Sequence, residues 1–223
     1  MILSDDEACR IRKMKIIKDK FDKKDIQNLP KVKFDGRIIT VISEREAEKA
    51  VDYLLHQPIL GVDSETRPSF KKGLCNRVAL LQVSTHDTCF LFRLNRIGMP
   101  DAIVRLLENE SVTKVGLSLK DDFFQLKHRR DFTPCNFIDL QDEVKELGIA
   151  DMSLQKLYAN LLGGKISKSQ QLSNWECDVL SEAQQQYAAI DAWACVQLHE
   201  EIKRLEDSND YQLLKASQVK KEE

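Results

Sequence analysis

The stretch "ILGVDSETRPSF" (residues 59–70) decides how the chain is read. Ile59, Leu60 and Val62 form an apolar run of strand length, and Asp63 and Glu65 follow with one residue between them. Side chains alternate across a strand, so the two carboxylates point to the same side, about 6–7 Å apart along the chain. Two like charges on a largely buried strand are costly unless a cation lies between them. The rest of a cation site should therefore lie elsewhere in the sequence.

On either side of this run, strand and helix patterns alternate. "RIITVI" (37–42) is rich in β-branched residues, and Ser43 with Glu46 makes a capping box that opens a helix. After the acidic strand come "RVALLQV" (77–83) and "TCFLF" (88–92), joined through "STHD" as a hairpin in an antiparallel meander. "PDAIVRLLEN" (100–109) reads as a helix, "TKVGLS" (113–118) as a strand, "DDFFQLKH" (121–128) as a helix and "NFIDL" (136–140) as the fifth strand. Leu154, Leu157, Tyr158, Leu161 and Leu162 mark an amphipathic helix that ends at Gly163-Gly164. A last long helix starts at Ser181, with Gln184 completing a second capping box. Antiparallel strands followed by strands alternating with helices predict an α/β fold, a mixed sheet covered on both faces. Residues 1–29 read as a loosely attached charged arm, 30–206 as the domain, and 207–223 as a tail.

Composition narrows the function classes. With 223 residues, 42% of them hydrophobic, the chain can build one sizeable core. No apolar run is long enough to span a bilayer, and acids interrupt the N-terminal segment where a signal peptide needs apolar residues, so no membrane partner is expected. The six cysteines are scattered without a C-x-x-C pair, which points to reduced thiols in the cytoplasm and argues against a zinc site. The net charge of −2 argues at first against nucleic acid, yet residues 67–77 hold Arg67, Lys71, Lys72 and Arg77 without an acid. Taken alone, such a run is usually a solvated face.

Two more acidic positions complete the site. Asp122 opens the helix after "KVGLSLK", and Asp191 lies on the last helix four residues after Tyr187. Positions i and i+4 share a helix face, so the Tyr187 hydroxyl and the Asp191 carboxylate reach one volume. Four converging carboxylates call for hard divalent cations, Mg²⁺ or Mn²⁺. Two such ions can clamp the attacking and leaving oxygens of a phosphodiester. They would also shift the net charge from −2 to +2, which softens the objection to nucleic acid. Singly each motif is weak: a D-x-E is usually incidental, and an acid in a first helical turn usually serves the helix dipole.

Together they resemble the DEDD superfamily of 3′–5′ exonucleases, which includes RNase D and the exonuclease domain of the Werner syndrome protein. "GVDSET" (61–66) resembles the first motif, "KVGLSLKDDFFQL" (114–126) the second, and "QLSNWECDVLSEAQQQYAAIDAWACVQL" (171–198) the third with its upstream loop. The resemblance implies a ribonuclease-H-like fold with five mixed strands, three antiparallel and the others parallel. It makes Asp63, Glu65, Asp122 and Asp191 metal ligands for two divalent cations, with Glu65 and Tyr187 catalytic and Tyr187 orienting the attacking water. The Y-x-x-x-D spacing matches the tyrosine branch; the histidine branch would place His where Gln186 stands. Thr66 matches a contact to the 3′-terminal nucleotide, and Phe124 an aromatic near the substrate. Asp121 and Asp122 are adjacent, and motif alignment favours Asp122. Arg67, Lys71, Lys72 and Arg77 are expected as a basic lip, with Lys165 and Lys168 opposite. The implied partner is a nucleic acid with a free 3′ end, delivered by this domain itself or by an unidentified protein partner. The competing reading is a catalytically silent nucleic-acid-binding module, against which the full set of four acids and Tyr187 weighs.

Overall fold

The computed structural model describes residues 14–69 and 76–216. In chain order the elements are β1 (Lys15–Lys18), α1 (Lys23–Ile26), β2 (Arg37–Val41), α2 (Glu44–Leu54), β3 (Ile59–Thr66), β4 (Val78–Ser84) and β5 (Thr88–Phe92). There follow α3 (Leu94–Ile97), α4 (Asp101–Leu107), β6 (Thr113–Gly116), α5 (Leu119–Lys127), β7 (Phe137–Asp139), α6 (Leu140–Glu146), α7 (Leu154–Leu162), α8 (Glu182–Ser208) and β8 (Tyr211–Leu214).

The main sheet has the order β2-β5-β4-β3-β6-β7. β3, β4 and β5 form the antiparallel meander, and β6 and β7 add in parallel beyond β3. The sheet has six strands where five were expected, because "RIITVI" joins it as β2, parallel to β5 at the outer edge. One apolar core lies between the sheet and α6, α7 and α8; the other lies beneath α2, α4 and α5. Both expected capping boxes close, Ser43 with Glu46 and Ser181 with Gln184. α7 ends where Gly163 takes a left-handed φ of 67°.

β3 carries no side chain at Gly61, and that allows the sheet and α8 to meet. A Cβ placed there would lie 1.8 Å from the Ala192 carbonyl oxygen, so the α8 backbone rests directly on β3. This contact brings the neighbouring Asp191 over the carboxylates of the strand.

The two ends of the described chain are more ordered than their charge-rich sequence suggests. β1 pairs in parallel with β8, and Ile17 is buried in the core that α8 covers. Asn160 of α7 holds this pair by accepting from the Lys18 amide at 2.9 Å and donating to its carbonyl at 2.7 Å. Among the described residues, no helix is long and apolar enough to cross a membrane.

Candidate active site

A cleft of about 410 Å³ opens where the end of β3, the start of α5 and the first turns of α8 meet. Asp63, Glu65, Asp122, Tyr187 and Asp191 all line it. Asp63, Glu65 and Asp191 each offer a carboxylate oxygen within 4.8 Å of the others. Asp122 stands outside this closest group. Ser64 alternates away from its two acidic neighbours and donates its hydroxyl to Asp122.

Asp122 owes its position to a residue that the motifs do not mark. α5 begins after Ser118, which has a left-handed φ of 63° and gives no side-chain cap. Asp139, at the end of β7, accepts from the Ser118 and Leu119 amides at 3.0 and 2.9 Å, and also from the Gln141 amide of α6. One carboxylate thus caps two helix starts and fixes the turn that presents Asp122. The sequence signal was an acid at the end of a strand immediately before a helix.

Tyr187 lines the cleft beside Asp191, one helical turn away on the same face of α8. Trp175 lies behind its ring, with centroids 6.0 Å apart. The loop that carries Trp175 is tied down from two directions. Gln184 donates to the Ser173 hydroxyl at 3.0 Å and to the Asn174 carbonyl at 3.2 Å, and the guanidinium of Arg93 donates to the Cys177 and Asp178 carbonyls.

The electrostatics show what this convergence costs. Burial, then the charges of Asp191 and Asp122, raise Glu65 from 4.5 to about 9. Asp63 is raised well above the carboxylate range by burial first and by its three acidic neighbours next. Burial lifts Asp191 to about 7 against the opposing pull of Tyr187 and Lys168, and Asp122 to about 6 against that of Ser64. Burial and the adjacent acids also raise the Tyr187 hydroxyl, so it stays a hydrogen-bond donor. Lys168 is the only cationic side chain among the described lining residues, and it is exposed. A buried, oxygen-only donor set with so little protein counter-charge fits a hard divalent cation.

The other expected residues lie away from this floor. The described lining of the cleft includes none of Thr66, Phe124, Arg67 and Arg77. Thr66 is half-buried and pairs with Val78 beyond an irregularity in the strand register. Phe124 is 63% exposed, its ring edge-on to His128, and so is not a core residue. Arg67 forms an ion pair with Glu176 at 3.2 Å, and Arg77 is exposed. Lys71 and Lys72 lie outside the described residues. Asp121 is exposed at the cleft edge; Lys165 pairs through its backbone with Pro30 and Val32.

The family model described as "3′-5′ exonuclease" matches residues 38–206. The chain belongs to the 3′–5′ exonuclease family. It is 30% identical over 191 residues to the bifunctional 3′-5′ exonuclease/ATP-dependent helicase WRN of Mus musculus, covering 81% of this chain and 14% of that protein. It thus spans about a seventh of that relative's length. A 3′-5′ exonuclease of Arabidopsis thaliana is 30% identical over 198 residues, covering 82% of this chain and 69% of that one. Among solved structures, Escherichia coli RNase D superposes with a TM-score of 0.67 at 18% identity, over 76% of this chain and 46% of that one. The mixed sheet flanked by helices is the ribonuclease-H-like fold of these exonucleases. The matched residues run from β2 to α8 and so include every acid of the cleft.

Proposed function

We propose that this domain is a hydrolase that removes nucleoside 5′-monophosphates one at a time from the 3′ end of a nucleic acid strand. The observation that carries this reading is the group of half-buried Asp63 with buried Glu65 and Asp191, oxygens within 4.8 Å, on a chain of the exonuclease family. Asp63, Glu65, Asp191 and Asp122 would hold two divalent cations, Mg²⁺ or Mn²⁺. When bound, such ions supply Lewis-acid activation of the attacking water and charge stabilisation at the departing 3′ oxygen.

The chain's own residues do the rest. Tyr187 keeps its proton and is placed to hydrogen-bond the attacking water, while Trp175 and the loop tied to Gln184 hold its ring still. Glu65, beside Asp191 and Tyr187, is placed to receive the proton that the water loses. Ser64 and Asp139 fix Asp122 from two sides, through its carboxylate and through the start of its helix. Lys168 borders the cleft where a backbone phosphate would lie.

A strand labelled at the 5′ end in one sample and at the 3′ end in another tests polarity, with Mg²⁺, Mn²⁺ or chelator. The expected result is a descending ladder from the 5′ label, immediate release of a labelled mononucleotide from the 3′ label, and neither with chelator. Internal cuts, or digestion from the 5′ end, would reject the reading. Binding without any hydrolysis would favour the silent module.

A further inference from the structure

Beside the acidic cleft lies a second cavity of about 210 Å³, and the two share Ile166, Ser167 and Tyr187 as a common wall. Its other sides are Val32 and Lys33 from the segment before β2, and Ala183 and Ile190 from α8. The walls are held in place. The side-chain amide of Gln186 accepts from the Phe34 N–H at 3.3 Å and donates to the Phe34 carbonyl at 3.1 Å. Val32 N–H donates to the Lys165 carbonyl at 3.0 Å, and Gln155 donates to the Ile166 carbonyl at 2.6 Å. The residue that stands where the other branch carries its histidine therefore secures a wall of this groove.

The groove has apolar flanks, is small enough for a single ring system, and has a cation at its edge. Lys168 lines the cleft and Lys33 lines the groove, so each compartment has an exposed ammonium. Lys33 pairs with Asp35 at 3.3 Å, but both side chains are largely in water, and such a pair holds weakly enough for a phosphate to displace it. Across the cleft, the described residue Arg67 is paired with Glu176 at 3.2 Å and does not line the groove.

We infer that this groove receives the nucleobase next to the 3′-terminal one, with Lys33 on the neighbouring backbone phosphate. The inference rests on the exonuclease reading for what fills the cleft. Apolar walls around one base provide sequence-tolerant affinity, and the lysine makes it salt-dependent. A strand whose terminal nucleotide occupies the acids thus continues past Tyr187 and Ile166 towards the 32–33 segment.

The test measures binding of a 5′-fluorescein single strand to Asp63→Asn protein by fluorescence polarisation. It compares an intact strand with one that is abasic at the second nucleotide from the 3′ end. The intact strand is expected to bind about tenfold more tightly. Ala183 is exposed on the first turn of α8, so Ala183→Trp fills the groove without disturbing a core and should abolish that preference. Lys33→Gln should make the slope of log affinity against log salt shallower by about 0.7. Equal binding of the two strands, an undiminished preference in Ala183→Trp, or an unchanged salt slope in Lys33→Gln would each overturn the inference. Hydrolysis by the unsubstituted protein is scored separately. Preference without hydrolysis removes the catalytic reading and leaves the groove; hydrolysis without preference removes the groove alone.

Discussion

The floor of the cleft and its β3–β4 rim both carry charge, but under opposite conditions. On the floor, Asp63, Glu65 and Asp191 are crowded and desolvated, and Glu65 is pushed up to about 9. At the rim, Arg67 is half in water and pairs with Glu176. A fold tolerates the first arrangement only where something outside the chain relieves it, whereas the second needs no such explanation. Charge that burdens the fold marks function more reliably than charge that is merely abundant.

The sharpest way to break this comparison is to neutralise one acid of the floor. Asp191→Asn should lower kcat by about 10³-fold, read as mononucleotide release, if the carboxylate holds a cation as proposed. The same change should raise the thermal midpoint in chelator above neutral pH, because it relieves repulsion. Lower activity with lower stability would mean that the acid is structural. Gly61→Val attacks the floor without touching an acid. The new side chain meets the Ala192 carbonyl, so we expect about 1–3 kcal/mol of destabilisation in urea titration. About 10²-fold of activity should go with it as Asp191 is displaced.

Tyr187→Phe keeps the packing on Trp175 and removes only the hydroxyl, so kcat should fall by about 10²-fold with KM nearly unchanged. A rise in KM alone would move Tyr187 from orienting water to binding the strand. At the rim, Arg67→Ala should change strand affinity by no more than about threefold, since it breaks one exposed pair. A tenfold loss there would restore the basic lip as the main path of the strand.

What the sequence discloses follows the same division. The capping boxes at Ser43 and Ser181, the period of α7 and the acids of β3 and α8 are local patterns with one physical meaning each, and the structure contains all of them. The pairing of β1 with β8 was not legible. The lysine-flanked KIIK and the uncharged YQLL, distant in the chain, are too short to carry a periodic signal, and Ile17, Tyr211 and Leu213 on the core and the amide of Asn160 hold them in place. The role of Gln186 was equally hidden, and for Asp139 only the local cap of α6 was signalled, since the remaining bonds depend on which backbone groups the topology brings near. The exposure of the Phe124 ring was not legible either, because a single aromatic on a short helix carries no sign of which face it takes.

The most direct test of the central claim is thermal unfolding across about pH 5–9, with chelator and with Mg²⁺ or Mn²⁺. Glu65 and Asp191, at about 9 and about 7, bind protons more tightly folded than unfolded. In chelator the folded state therefore holds more protons across this range, and stability must fall as pH rises. Either cation should cancel that fall in the unsubstituted chain and have much less effect in Asp63→Asn. A midpoint that is flat with pH in chelator, or that neither ion raises at the alkaline end, would contradict a site built for divalent cations.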